Sequence, residues 1–238
     1  NHSIKTKAGS GSITFAEGKN VKPIKVDFSK GDVSGAVQLW ANGPYWSIKN
    51  IGAADEYDPG YYFSWGNTTG YVRNAANNGW VVAPGYSGAG SALNGGFTIN
   101  TYGPTNGYRI TRDLQANATE DAAMAAWGND WRMPSKAEVD GFSGKVTSIF
   151  DEKFTKVSGI GDYSDDYIIL PGGGCIWQND DMSSSGTVKI WTTTYYEDNS
   201  HNHKPYALTV SSSKPIPHAN NGINAMYGMN IRPVYCRP

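Results

Sequence analysis

The chain has 238 residues, enough for one large domain or for a domain with a smaller appendage. Charged residues make up 17%, below the roughly 25% usual for soluble domains, and the net charge is −1. No strong field therefore favours nucleic acid or an anionic membrane; an aromatic share of 13% argues against a disordered chain, and no apolar run approaches the roughly 20 residues of a membrane-spanning helix.

The first residues, NHSIKTKAGSGSITF, are polar and lack the apolar centre of a signal peptide, so they read as a mature or artificial N-terminus. In SITFAEGKNVKPIKVDF, apolar and polar residues alternate. Ile13 and Phe15 share one face of a strand, and Val26 and Phe28 do likewise, with a turn at Gly18-Lys19-Asn20. Pro23 argues against a central strand. Residues 1–36 are expected to form a strand or linker segment, and 37–238 the main domain.

From Val37, VQLWANGPYWSIKNIGA gives two short strands around the turn Asn42-Gly43-Pro44. YYFSWGN follows. Thr68 to Gly107 has turn residues at almost every step, which predicts extended loops with short strands such as Phe97–Asn100. Helix signal is confined to the middle. Ala116–Trp127 is alanine-rich, with Thr119 as the expected N-cap and Gly128 as the stop. Pro134 is expected to restart a helix, with Ser135 and Glu138 at capping-box spacing and an end near Gly141 or Gly144. After Tyr167 the chain reads as strands and loops: YIILPGGG, VKIWTTTYY, YALTV and MYGMNIRPVY, with Pro233 suggesting an edge or terminal position. Two short helices between β-rich ends predict an α+β fold.

Trp127, Trp131 and Trp191 are expected to be buried anchors, and Arg132 carries a planar fork that suits backbone carbonyls or a carboxylate. Cys175 and Cys236 are either one bridge or two free thiols. His201-Asn202-His203 places two imidazoles on one face of a strand, with no third ligand apparent, and reads as solvated loop. Oxygen-rich stretches GDYSDDY (161–167), QNDD (178–181) and YEDN (196–199) leave structural calcium open; no other cofactor is expected. There is no G-x-S-x-G and no H-E-x-x-H. Gly172-Gly173-Gly174 follows a strand without opening a helix, so it reads as a close backbone approach, not a phosphate cradle.

Four pieces in order carry a family resemblance: VQLWANGPYWSIKNIGA (37–53), YYFSWGN (61–67), DAAMAAWGNDWRMPSKAEVDGF (121–142), and the set IILPGGG (168–174), IWTTTYY (190–196) and GMNIRPVY (228–235). Across roughly 37–235 the chain resembles the Fibrobacter succinogenes major paralogous domain family, with WGNDWRMPSKAE the most specific piece. The resemblance implies a C-type-lectin-like fold, similar to the formylglycine-generating enzyme. It also implies an extracellular or cell-surface setting in Bacteroidetes-type bacteria, as an adhesin or fimbria-like domain or a variable-loop scaffold.

In such a fold the C-terminal half displays loops on a small sheet. Here they are CIWQNDDMSSSG (175–186), TYYEDNSHNHKPY (194–206) and KPIPHANNGINAMY (214–227). Rigid aromatics among small polar groups suit recognition of a glycan or a protein. Candidate ligand contacts are Trp177, Tyr195, Tyr196, Asn199, His201 and Asn220. The expected function is non-enzymatic ligand binding, without nucleic acid. A purely structural module of a larger surface protein is the alternative. A formylglycine-generating-like oxidase comes third, because the close cysteine pair of that chemistry is missing.

Overall fold

Gly, Asn and Pro recur too often along this chain for long regular elements, and short strands joined by tight turns dominate. The computed structural model describes residues 3–5, 12–14, 35–73, 80–86, 110–176, 182–183, 186–196, 204–221, 224–225 and 227–236. The expected Gly18-Lys19-Asn20 turn and the Phe97–Asn100 strand lie outside the described residues.

Strands β1 (Ser3–Lys5) and β2 (Ser12–Thr14) pair with each other. Strands β3 (Ala36–Gln38) and β4 (Tyr45–Ser47) form the expected hairpin, with Asn42 at φ 59° in the left-handed region that asparagine tolerates. β5 (Tyr71–Arg73) pairs with β6 (Trp80–Val82). Then come α1 (Ala122–Trp127), β7 (Trp131–Arg132) and α2 (Lys136–Asp140). β8 (Val146–Phe150), β9 (Phe154–Gly159) and β10 (Tyr167–Pro171) make a meander with β9 central. β11 (Cys175–Ile176) pairs with β12 (Met182–Ser183). β13 (Val188–Trp191), β14 (Ala207–Ser211) and β15 (Lys214–Asn220) form a second meander. β16 (Val234–Tyr235) returns between β4 and β7 in the order β3-β4-β16-β7. Every pairing between these strands is antiparallel, and the two α-helices have only 6 and 5 residues: the architecture is α+β.

Alternation explains the β8–β9 edge of the core. In β9, Thr155, Val157 and Gly159 are buried and the intervening residues are half-exposed. β14, central in its sheet, is buried over Ala207–Val210. One apolar cluster joins Trp46, Phe142, Val157, Leu170, Ile190, Leu208 and Val234; a second joins Phe63, Trp65, Met133, Trp191, Met229 and Ile231. The Gly172–Gly174 stretch is a close approach, as expected. A Cβ on Gly173 would lie 2.4 Å from Asn230 Oδ1 and 3.0 Å from the Tyr62 hydroxyl.

Several expectations are corrected. Asp121, not Thr119, caps α1; its carboxylate accepts from the N–H of Ala123 and Met124, whereas Thr119 is engaged by Asn117 in the preceding turn. Pro134 does not open α2; it precedes the N-cap Ser135, whose capping box with Glu138 is present. Trp127 and Trp131 are half-buried, because α1 and β7 leave one side of the corner open; Trp191 is fully buried. Lys214–Asn220 is not loop but β15, an edge strand whose prolines are tolerated beside the irregularity between Thr209 and Ser211. Of the two positions expected for Pro233, the terminal one holds and the edge does not: it is buried immediately before the interior strand β16, and its carbonyl accepts the Ser47 N–H.

Candidate functional site

The β13–β14 ladder continues beyond the strand ends. Thr192 N–H donates to Tyr206 O, Tyr206 N–H to Thr194 O, and Lys204 N–H to Tyr196 O. The segment carrying Tyr195 and Tyr196 is therefore extended and held, not free loop. It is braced from three directions. Leu114 N–H donates to Thr193 O, Thr193 N–H to Pro134 O, and Tyr195 N–H to Asp113 Oδ1 at 2.8 Å. Two indoles lock the YYFSW segment against the same strand: Trp65 Nε1 donates to Thr192 O (2.8 Å) and Trp191 Nε1 to Phe63 O (2.9 Å).

Alternation then separates the two tyrosines. Tyr195 packs against the second core cluster, its ring 6.1 Å from Trp65. Tyr196 instead meets Tyr206 edge-to-face at 5.6 Å, and Lys136 Nζ lies 5.0 Å from the Tyr206 centroid. Asn220, exposed, lies opposite Ala207, next to Tyr206. Tyr195, Tyr196 and Asn220 thus come to one end of the β13–β14–β15 sheet. Trp177, Asn199 and His201 lie outside the described residues, as does His203.

Both cysteines are free thiols: Cys175 is buried in β11 and Cys236, half-buried, follows β16. Burial pushes both thiols up, which disfavours the thiolate that soft metals bind. Among the described residues no group of three or more His, Cys, Asp or Glu side chains converges as a metal site. Of the oxygen-rich stretches, 178–181 and 197–199 fall outside those residues. No helix among the described residues is long and apolar enough to cross a membrane.

A second feature had no motif to announce it. An open cleft of about 510 Å³ lies among Ile51, Gly52, Tyr61, Thr68, Thr69, Pro84, Gly85, Tyr86 and the α1 residues Ala125–Trp127. Tyr86 meets Tyr61 and Phe63 edge-to-face, each at 6.0 Å. Burial, reinforced by the neighbouring Tyr61, pushes the Tyr86 phenol up to about 12, so it keeps its proton as a donor at neutral pH. The sequence carried one faint signal, the aromatic run at 61–63 before a turn-rich stretch. Its partners Tyr86 and Trp127 are too distant in sequence to be grouped with it.

No protein family model, curated protein or solved structure matches this chain, so the site is read from its own geometry.

Proposed function

We propose that this chain is a ligand-recognition domain of C-type-lectin-like fold, displayed outside the cell or on its surface, and that it binds rather than catalyses. Its partner is a glycan or a protein, held in an adhesin-like or fimbria-like setting. The observation that carries the reading is the juxtaposition of Tyr196, Tyr206 and Asn220 at the braced end of the β13–β14–β15 sheet. Ring faces and an amide are stacking and hydrogen-bonding groups, and a rigid platform lowers the entropy lost on binding. Thiols held toward their protonated form give further support for binding over oxidase chemistry.

The test is combined alanine substitution of Trp177, Tyr196, Asn199, His201 and Asn220, followed by binding to whole cells, glycan arrays and extracellular-matrix proteins. Loss of about tenfold or more in affinity is expected if one ring is a desolvated anchor. Undiminished binding to an identified ligand would place the site elsewhere. Failure of the unsubstituted chain to bind in any of the three assays would favour a purely structural module.

A further inference from the structure

We infer that the cleft between the Tyr61–Thr69 segment, the turn after β6 and the solvent-facing side of α1 is a separate recognition site, and that its ligand is a neutral oligosaccharide. The inference goes beyond the sheet-end surface and does not depend on it.

Size is the first observation. A cleft of about 510 Å³ falls in the range of small-molecule sites, roughly 300–1,000 Å³. Charge is the second. Among the described residues no Asp, Glu, Lys, Arg or His lines it, so those walls would desolvate an ionic ligand without offering a counter-charge.

The polar groups that are present suit a polyol. Among the described residues, the hydroxyls of Tyr61, Thr68, Thr69 and Tyr86 and the indole N–H of Trp127 make no hydrogen bond within the chain. Four groups that both donate and accept, with one further donor, match a ligand whose hydroxyls do the same. The rings of Tyr61, Tyr86 and Trp127 offer apolar surface for the C–H faces of pyranoses. On α1, Ala125 and Ala126 are exposed and end at a methyl, which leaves that wall open.

The rings are held before any ligand arrives. Gly52, at φ +75°, lies against the Tyr61 ring so closely that a Cβ there would sit 2.4 Å from its carbons. Tyr61 N–H donates to Ile51 O at 2.8 Å, and Tyr86 abuts the Tyr61 ring. Such preorganisation removes an ordering cost. The aromatic surface also continues past the cleft. Trp127 meets Trp131 edge-to-face at 5.2 Å, and Trp131 meets Tyr235 at 5.4 Å, all three half-buried. A track of rings leading out of a cleft fits a chain of sugars better than a single one.

Titration of the full chain with cellohexaose, xylohexaose, mannohexaose and chitohexaose, with a sulfated heparin hexasaccharide for contrast, tests this by calorimetry and tryptophan fluorescence. At least one neutral hexaose should bind, and Trp127→Ala should weaken it about tenfold or more. The Thr68→Val/Thr69→Val pair, nearly isosteric, should weaken it roughly threefold, with far-ultraviolet circular dichroism confirming the fold. It stands in if Trp127→Ala fails to fold. Gly52→Ala should weaken binding by displacing Tyr61 without removing any lining side chain. Binding lost only in a Tyr196→Ala/Asn220→Ala variant would overturn the cleft assignment while sustaining the sheet-end reading. No hexaose binding at millimolar concentration, or tighter binding of the sulfated probe, would overturn it outright.

Discussion

Asp121 reaches across the helical corner to Met133: its Oδ2 accepts the Met133 backbone N–H at 2.9 Å while its Oδ1 accepts those of Ala123 and Met124. One fully buried carboxylate therefore caps α1 and fixes the chain just past β7. Asp121→Ala should cost about 2–4 kcal/mol, combining a lost N-cap with an orphaned buried amide. Asp121→Asn should cost less, since its carbonyl can keep the helix amides while its NH₂ group confronts Met133. Urea unfolding curves give both values. Equal losses would mean that the helix amides contribute nothing and that the Met133 bond carries the whole effect.

Acid should reveal two opposed carboxylates at this corner. Burial alone would raise the Glu138 carboxyl, but the two bonds from Arg132 and those from Ser135 outweigh it and hold it below its ordinary value. Its folded form then releases its proton more readily than the unfolded chain. The stability it contributes is complete above about pH 4.5 and is lost as pH falls through the lowered folded value. Asp121 runs the other way, because burial raises it despite its three backbone partners. Its folded form holds the proton longer, so stability falls as pH rises through the window just above 3.8. Between neutral pH and about pH 3, Glu138→Gln should flatten the acid loss and Asp121→Asn should steepen it. Parallel profiles for wild type and Glu138→Gln would contradict this.

The corner also marks how far the sequence could be read. The Ser135–Glu138 capping box and the Ala36–Ser47 hairpin are legible because each is local, written within four and twelve residues respectively. Asp121 was missed as a cap because Thr119 is an equally good residue for the role by type. Only the fold shows that Asn117 already engages Thr119 and that Met133 supplies Asp121 with a third amide. The composition of 214–227 reads as loop, whereas Lys214–Asn220 is an edge strand that tolerates Pro215 and Pro217, and edge position is a property of the sheet, not of the segment. Of the six candidate contacts, the alternation of Tyr195 and Tyr196 was foreseeable, but which faces inward depends on Trp65, some 130 residues earlier in the chain. The Tyr61–Tyr86–Trp127 cleft was beyond reach for the same reason.

Two tryptophans that look equivalent in the sequence should behave differently. Trp191 is fully buried and donates to Phe63 O, so Trp191→Ala should cost about 3–5 kcal/mol. Trp131 is half-buried between Trp127 and Tyr235, so Trp131→Ala should cost only about 1–2 kcal/mol. Thermal unfolding of the pair checks the order; a larger loss for Trp131 would show that the aromatic track is core.

Thiol titration should divide the cysteines. Cys236 is half-buried and should react slowly with an aromatic disulfide in the native state, slowed further because burial raises its thiol. Cys175 is fully buried and should react only on unfolding. One equivalent in buffer and two in denaturant is the expected count. Zero in both, restored by a reductant, would reveal a disulfide instead.

Arg232 should give the least intuitive mutational order. It is fully buried, donates through Nη1 to Ser47 O at 2.9 Å and through Nη2 to Ile169 O, and so ties the C-terminal segment to β4 and β10. Among the described residues it makes no salt bridge, and its Nε has no partner. Burial pushes the guanidinium down to about 9, partly countered by Glu56, which still leaves it charged at neutral pH. Two charge-assisted bonds offset the cost of a buried cation only because the planar fork serves both carbonyls at once. A lysine keeps the cation but not the fork, so Arg232→Lys should cost about 3–5 kcal/mol, as an under-solvated buried charge does. Arg232→Met orphans the same two carbonyls but removes the charge, so its cost should be nearer 1–3 kcal/mol. The uncharged variant should therefore be the more stable of the two, although lysine is the closer chemical relative. Denaturant midpoints at neutral pH decide it. If Arg232→Lys proves the more stable, water or a carboxylate such as Glu56 must reach the site, and Arg232 is not the dry anchor described above.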